Sequence, residues 1–566
     1  MSAGTGAGAR VVNRVQQGFY LDSVALMRIA MELETMAEVE TAALMIGTPA
    51  NLEILAAARL LTEAGHKATP RDLIIAIELA NPAGPEDSRD GMLGKDTALG
   101  KDTALEKDTV LERAENMLRQ PAASAGQAPR WRPKMLRSAI TALPGANLAL
   151  ISVPGAYAAA EARKAMEAGL HVFIFSGNVP LEEEAALKIE ARRRGLLVMG
   201  PDCGTALING VAVAFANKVS RGDIGIVSAS GTGLQEVSSL LTRMGGGISH
   251  GIGTGGRDLH QAVGGITTLM AIDALDGDPG TRHVVLISKP PAPSVARAVL
   301  ERVAASPKPF TICLLGSAAL QLPPNARQAF TLQQAAELAL GKALPPLSGE
   351  ARPPVLSGEA RPPVLSGEAK PPVLSGEAKP PVLSGEARPP VLSGEARPPR
   401  EGWLRGLFTG GTLCAEAQTI LLGAGLPLRS NAPVPGAATH RPGDPDGHLM
   451  LDLGAEEYTL GRLHPMIDPK PRLELLREVL ERGDVAAVLL DVVLGQGAHP
   501  NPAGGLAHTV SEAGPDSPPV VASVTGTGGD TQGWAQQVDT LRQAGVLVAP
   551  SNAAAATLAL SLLRGG

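Results

Sequence analysis

Aromatic side chains are scarce in this sequence, at 2% of 566 residues. The rings that fill most β-sandwich cores are missing, so the 44% of hydrophobic residues must build interiors mainly from Ala, Leu, Val and Ile. That composition favours helices packed on buried parallel strands. Cysteine is almost absent as well: Cys203, Cys313 and Cys414 stand far apart with no CxxC pair. The count argues against a disulfide framework, a zinc knuckle or any protein metal site, and a reducing, cytoplasmic setting is expected. Basic residues are not in excess, with 50 Lys and Arg against 56 Asp and Glu for a net charge of −6. No basic face for nucleic acid is expected. The opening MSAGTGAGARVVNRVQQ lacks the apolar stretch of a secretory signal, and no run of about 18 apolar residues occurs, so no membrane partner is expected.

What is present organises the chain into several domains, in line with roughly 100–200 residues per domain. Residues 1–80 read as a small α/β domain, with strands at Val11–Val15, Thr41–Ile46 and Leu73–Glu78 and helices over Leu21–Glu34 and Pro49–Glu63. Residues 81–120 open on loop chemistry, NPAGPEDSRDG, and then repeat a hexapeptide three times in GKDTALGKDTALEKDTVLE. A solvated loop running into a helix is expected there. Over 121–220, strand and helix patterns alternate at the spacing of a Rossmann-like parallel sheet, and 221–343 repeats that grammar. Residues 344–400 carry a nonapeptide, PPVLSGEAR or its Lys version, in six copies, the first irregular. Two prolines per copy forbid helix and sheet, so an extended linker is expected. Residues 401–566 return to α/β alternation, with four or five parallel strands in a flavodoxin-like sheet.

The sharpest local feature is IGIVSASGTGLQEV, Ile224–Val237. A buried strand ends at Val227, a turn of small hydroxylated residues follows, and a helix is expected to begin near Gly233. Unpaired amides of a first helical turn, at the positive end of the helix dipole, bind anions. An ordinary capped strand–helix turn is the competing reading. The same pattern recurs in FTGGTLCAEA, Phe408–Ala417, and in SVTGTGGD, Ser523–Asp530. Three such turns, all following buried strands, favour phosphate handling at the carboxyl ends of α/β sheets. His464 in HPMIDP stands beside Asp468 and Arg462, where it reads either as an acid/base or positioning group or as the lead-in to a helix. Arg257 could clamp an anion bidentately, with Asp258 as its structural partner.

MGPDCGT (Met199–Thr205), IGIVSASGTGLQEV and GIGTGGRDL (Gly251–Leu259) stand in the order seen in the α subunit of succinyl-CoA synthetase. GLFTGGTLCAEA, LDLGAEEYTLGRLHPMIDP and the final sheet resemble the ligase domain of its β subunit. With GTPAN at Gly47–Asn51 and HPMIDP at His464–Pro469 on the same chain, the set resembles the FdrA family of the acyl-CoA synthetase superfamily. The resemblance implies a Rossmann-like CoA-binding domain plus flavodoxin-like succinyl-CoA synthetase ligase domains. It implies phosphate binding at Ser230, Gly231 and Thr232, and a matching helix start at Gly410, Gly411 and Thr412. It implies that Glu236 matches a glutamate orienting a phosphorylated histidine, and that CoA is met near Val153, Pro154, Ser176, Pro201 and Gly204.

One departure matters. In succinyl-CoA synthetase the phosphorylated histidine follows the strand equivalent to Phe310–Leu314; here that strand runs into GSAALQLPPNARQ, which has no histidine. No stretch supplies an ATP-grasp domain either. The resemblance therefore points to a subunit of an oxamate carbamoyltransferase, which splits oxalurate with phosphate in allantoin breakdown. Its partners would be further subunits, a carbamoyl or acyl substrate, and phosphate. The alternatives are a CoA ligase whose nucleotide site lies on a partner subunit, and a non-catalytic scaffold holding CoA or a phosphate metabolite.

Overall fold

The computed structural model describes residues 10–19, 21, 26, 29–30, 32–34, 36–80, 99–119, 133, 135–347, 401–441, 443–459 and 463–564. Most of the expected helix over Leu21–Glu34, nearly all of the nonapeptide stretch, and Arg462 lie outside these residues. The chain divides into two units: Met1–Gly145 with Thr459–Leu463, and Ala146–Tyr458 with His464–Gly566.

The smaller unit holds β1 (Val11–Gln16), β2 (Val39–Ile46) and β3 (Leu73–Leu79), paired antiparallel in the order β1-β3-β2. β3 is central and reads LIIAIEL, apolar on both faces, as a strand covered on both sides requires. The expected helix over Pro49–Glu63 is shorter, Pro49–Ala57, followed by a single turn at Glu63–His66. Arg59 at φ 59° ends the first piece. The hexapeptide repeat departs from the expected loop: Leu99–Arg119 is one helix. Val110, Leu111, Ala114 and Leu118 fall on one helical face and are buried with Leu73, Ile75 and Ile77 of β3. That stripe supplies the packing that the repeat's polar composition concealed.

In the larger unit, β4 (Leu148–Ile151), β5 (His171–Ile174) and β6 (Val198–Met199) form a parallel sheet with helices Gly155–Glu167 and Leu181–Arg194 between them. The second helix carries Glu182, Glu183 and Glu184 in its first turn and Arg192, Arg193 and Arg194 in its last, each sign at the dipole end that favours it. It stops at Gly195, whose φ of 69° is a left-handed cap open to glycine at little cost. The domain expected to run to residue 220 ends earlier. β7 (Thr205–Ile208) and β8 (Val211–Ala214) belong to the next sheet, joined through β7 to β10 (Ile248–Gly253).

That sheet has the order β13-β12-β11-β9-β10-β7-β8, with β9 at Arg221–Ser228, β11 at His283–Ser288, β12 at Phe310–Leu314 and β13 at Ala326–Ala329. A third sheet, wholly parallel, has the order β16-β15-β17-β14-β18-β19-β20. Its strands are β14 (Trp403–Phe408), β15 (Leu428–Ser430), β16 (Ala438–Thr439), β17 (His448–Asp452), β18 (Val485–Val493), β19 (Val520–Thr525) and β20 (Leu547–Ala549). The sequence pattern suggested four or five strands; β15 and β16 are too short to leave a periodic signature. β18, VAAVLLDVV, is buried at all nine positions. The helices Gly231–Arg243, Leu332–Leu340, Gly411–Gly423 and Asn552–Arg564 share one core, in which Leu234, Leu413, Phe408 and Ala556 are buried together.

In both seven-stranded sheets the strand order turns around at the strand that leads into a glycine-rich turn. β9 lies between β10 and β11, and β14 lies between β17 and β18. Such switch points leave a crevice at the strand carboxyl ends, where open α/β sheets bind ligands.

Candidate active site

The helix after β9 starts at Gly231, two residues before the expected Gly233, because Ser230 is its N-cap. Ser230 is extended, and its Oγ accepts from the Gly233 amide at 2.9 Å. The helix after β14 starts at Gly411 with Gly410 as N-cap. These two starts meet: Ser230 Oγ is hydrogen bonded to Thr412 Oγ1, 182 residues away in sequence. A Cβ on Gly410 would lie 3.0 Å from Thr232 Cγ2, and one on Gly231 would lie 3.1 Å from Thr205 Oγ1. The structure thus gathers Ser230, Gly231, Thr232, Gly410, Gly411, Thr412 and the turn around Gly204 into one place.

Not every expected amide is open. The Gly233 N–H is taken by the Ser230 cap. The Gly410 N–H donates to Asp491 Oδ2 and the Thr409 N–H to Asp491 Oδ1, both at 2.8 Å. Asp491 is wholly buried on β18 and is paired with buried Arg472 at 3.1 Å. The amides of Gly231, Thr232, Gly411 and Thr412 have no partner among the described residues. Four unpaired N–H groups at two facing helix ends sum two dipoles on one point, a strong arrangement for an oxyanion. The third turn, in SVTGTGGD, is closed. Its Thr527 amide donates to Asp530 Oδ2 at 2.8 Å, and Asp530 also receives the Lys218 amide at 2.7 Å and Asn217 Nδ2 at 2.9 Å. It is a joint rather than an open anion site.

Glu236 lies in the interior. It is 1% exposed and accepts from Thr525 Oγ1 at 2.5 Å and from the Asn552 amide at 3.2 Å. Burial raises its pKa, against the pull of the Thr525 hydrogen bond. Sequence reasoning missed its counterpart. Glu416 is the sixth residue of the second helix as Glu236 is of the first, in Gly-Thr-x-x-x-Glu on both. Glu416 Oε2 accepts from Asn552 Nδ2 at 2.7 Å and Oε1 from the Leu332 amide at 2.5 Å. Burial pushes its carboxyl up to about 7. One asparagine therefore bridges two buried glutamates, its amide N–H on one and its side chain on the other. The repeated spacing was the signal that could have found Glu416.

His464 comes to the same place. Its Nε2 lies 2.7 Å from where a Cβ on Gly454 would stand, a point also 2.8 Å from Thr409 O and 3.2 Å from Asp452 Oδ1. Its Nδ1 accepts from the Met466 amide at 3.2 Å, and Asp468 Oδ1 accepts from the Lys470 amide. An accepting Nδ1 places the neutral ring's proton on Nε2. Burial pushes the pKa down to about 4, so the expected acid/base role gives way to that of a neutral hydrogen-bond donor.

Arg257 is engaged with the protein itself through one guanidinium nitrogen. It pairs with Glu184 Oε2 at 2.9 Å and donates to Val179 O at 2.7 Å. Asp258, its expected partner, is instead wholly buried on Lys188 at 2.8 Å, and Lys188 also holds Glu184 Oε1 and Thr254 O, each at 2.9 Å. The group locks the helix Leu181–Arg194 to the loop after β10. At the carboxyl ends of β4 and β5, Ser176 Oγ donates to Val153 O at 2.5 Å, Pro154 precedes the helix Gly155–Glu167, and Ser176 O receives the Asp202 amide at 3.0 Å. Val153, Pro154, Ser176 and the Pro201 turn thus form one crevice. Cys203, Cys313 and Cys414 are buried, and burial raises all three thiols, Cys203 to about 12. None is a nucleophile at neutral pH.

The fold is that of the CoA-ligase class. A family model described as CoA-ligase matches residues 407–562. The uncharacterised protein YahF of Escherichia coli strain K12 is 36% identical over 545 residues, 95% of this chain and 96% of its own. The chain belongs to the FdrA-like acyl-CoA synthetase family. The α subunit of an ADP-forming succinate–CoA ligase from Aquifex aeolicus is 30% identical over 151 residues, 26% of this chain and 48% of that one, so this chain spans about half of that relative. Among solved structures, the apo form of a dinucleotide-forming acetyl-coenzyme A synthetase 1 from Ca. Korarchaeum cryptofilum is 17% identical with a TM-score of 0.28, covering 74% of this chain and 82% of that one. A model described as AllF, heavy metal-associated domain, matches residues 9–95. That segment has no cysteine, so its residues do not fit the thiolate set that soft metals select. Among the described residues no helix is long and apolar enough to cross a membrane.

Proposed function

We propose that this chain is a subunit of a transferase that forms a carbamoyl or acyl phosphate, and that oxalurate and phosphate are its substrates. The observation that carries the reading is the meeting of two helix starts, Gly231 and Gly411, with four unpaired amides, in a chain that has no histidine in the stretch after β12. A phosphohistidine relay needs that histidine; direct attack by bound phosphate does not. In the reaction a phosphate oxygen forms a bond to the carbamoyl carbon of oxalurate. The bond from that carbon to the oxamate nitrogen breaks, and the nitrogen leaves with a proton. The Gly231, Thr232, Gly411 and Thr412 amides hold the phosphate and lower the entropy cost of bringing it to the carbon. Whichever of the Ser230 and Thr412 hydroxyls does not donate to the other, together with the Nε2–H of His464, would donate to the oxygen that gains charge. The crevice at Val153, Pro154 and Ser176 is where CoA or the substrate's remote end would lie.

The test is phosphate-dependent loss of oxalurate and appearance of carbamoyl phosphate, with the chain alone and with the products of neighbouring genes. Loss of oxalurate without phosphate would sink the reading. That crevice favours one second reading, a CoA ligase whose nucleotide site lies on a partner subunit. Transfer of label from γ-labelled ATP to this chain, in the presence of CoA and partner, would establish it and displace the first.

A further inference from the structure

The nonapeptide stretch has one anchored member. Its first, irregular copy opens Pro345-Pro346-Leu347-Ser348-Gly349-Glu350, and Leu347 is 7% exposed. Leu347 is buried in the apolar cluster that also holds Leu407 of β14, Leu451 of β17 and Leu476 of the helix Lys470–Leu480. The five regular copies carry a leucine in the same setting, after Pro-Pro-Val and before Ser-Gly-Glu, at Leu356, Leu365, Leu374, Leu383 and Leu392. These five lie outside the described residues.

The same cluster has an unfilled place. β14 and β17 run parallel with Arg405 opposite Leu449 and Leu407 opposite Leu451, so these four side chains share one face of the sheet. The helix Lys470–Leu480 packs on β14 and β18, and a cavity of about 310 Å³ remains beside it. Leu407, Leu449, Leu451, Leu475 and Val479 wall the cavity, and Leu449, Leu475 and Val479 are only half-buried. Arg405, Glu478 and Arg482 also line it. The two arginines are paired, Arg405 with Asp446 at 3.5 Å, and Arg482 with Asp446 at 2.9 Å and Asp484 at 2.7 Å. Glu478 is exposed and has no ion-pair partner among the described residues. An apolar cavity edged by one open negative charge suits an aliphatic segment that carries a cation.

The repeat has that chemistry and the right connection. Each Val-Leu pair is preceded, across Pro-Pro, by Arg or Lys, as Arg388 precedes Val391 and Leu392. The described residues stop at Leu347, inside the cluster, and resume at Glu401, just ahead of β14, whose Arg405–Leu407 stretch lines the cavity. Eleven residues join Leu392 to Trp403, a reach of up to about 36 Å, against about 10 Å along the strand from Trp403 to Gly406. The last copy therefore reaches the cavity with chain to spare.

We propose that this cavity docks the chain's own nonapeptide, one Val-Leu pair at a time, with the basic residue ahead of the pair on Glu478. Two prolines restrict each copy beforehand, which lowers the ordering cost of docking. One such pair binds weakly by itself, but five tethered copies each present theirs at roughly millimolar effective concentration. Copy number then sets how fully the cavity is covered, whatever the two helix starts bind.

The test is fluorescence anisotropy of a labelled free peptide, RPPVLSGEA, titrated with the full chain, with calorimetric melting to check each variant's fold. A variant carrying Leu356→Ser, Leu365→Ser, Leu374→Ser, Leu383→Ser and Leu392→Ser together should bind the peptide, and wild type should bind it about fivefold more weakly, because its own copies compete. In that five-leucine background Leu449→Arg should weaken binding by about tenfold or more, and Glu478→Lys, at an exposed site, by about threefold. A peptide with serine in place of its leucine should bind about tenfold more weakly. No binding by the five-leucine variant, equal binding by that variant and wild type, or unchanged binding in both Leu449→Arg and Glu478→Lys overturns the proposal. Light scattering on dilution should find wild type at constant mass; association that the free peptide dissolves assigns the cavity to the repeat of a second copy and overturns it too.

Discussion

Asp491→Asn removes the charge that fixes the Thr409–Gly410 turn. In the native chain the two Asp491 oxygens accept from the Thr409 and Gly410 amides at 2.8 Å each, from Thr409 Oγ1 at 3.1 and 3.2 Å, and from Arg472 at 3.1 Å. An asparagine keeps one acceptor and turns an NH2 group toward a donor. It also leaves Arg472, whose side chain is 5% exposed, without its counter-charge. Orphaning one member of a buried ion pair costs about 3–5 kcal/mol, which already includes much of the lost amide bonding, so we expect about 4 kcal/mol. For a cooperative unit of this size that is a drop of roughly 5 °C in the calorimetric midpoint. Arg472 also donates to Leu407 O and Asp491 O, at 2.8 and 2.6 Å, so Arg472→Met should be costly by itself. The double variant should lose less than the sum of the singles by about 2 kcal/mol, because the two share one interaction. A midpoint for Asp491→Asn within about a degree of wild type would refute the claim that this carboxylate holds the turn.

Glu416→Gln should flatten part of the pH dependence of stability. The folded chain holds the Glu416 proton up to about pH 7 while the unfolded chain loses it near 4.5, so its contribution is whole below the lower value and is lost as pH rises to the upper, about 3 kcal/mol in all; denaturation across that range reads the slope. Lys188→Met should destabilise the larger unit by about 3–5 kcal/mol, since Asp258 is then buried without a cation and Glu184 keeps only Arg257; the calorimetric midpoint checks it. A thiol reagent should label none of the three cysteines in the native chain on the timescale that labels all three in denaturant, because each is buried with its thiol raised. Gly454→Ala should weaken phosphate binding together with stability, since its Cβ would stand 2.7 Å from His464 Nε2 and 2.8 Å from Thr409 O; binding and melting of one preparation decide.

Much of this architecture is written locally. The nine buried residues of β18, the alternation of short apolar runs with helical patterns, and the Ser230 cap are fixed by residues close in sequence, so periodicity and capping rules reach them. The same rules placed the first helix start two residues from where it stands. They failed where the signal was short or not local: β15 and β16 are too brief for a period, and the helix Leu99–Arg119 is fixed by its packing on β3. The site shows the same division. The sequence alone determined which turns are rich in small hydroxylated residues and that no histidine stands in GSAALQLPPNARQ, the stretch after β12. Only the tertiary structure decided that two of those turns touch while the third is closed, that Asp491 takes the Gly410 amide, and that Arg257 belongs to Glu184. Which donor reaches which acceptor across 182 residues depends on how two sheets pack, and no spacing along the chain records it.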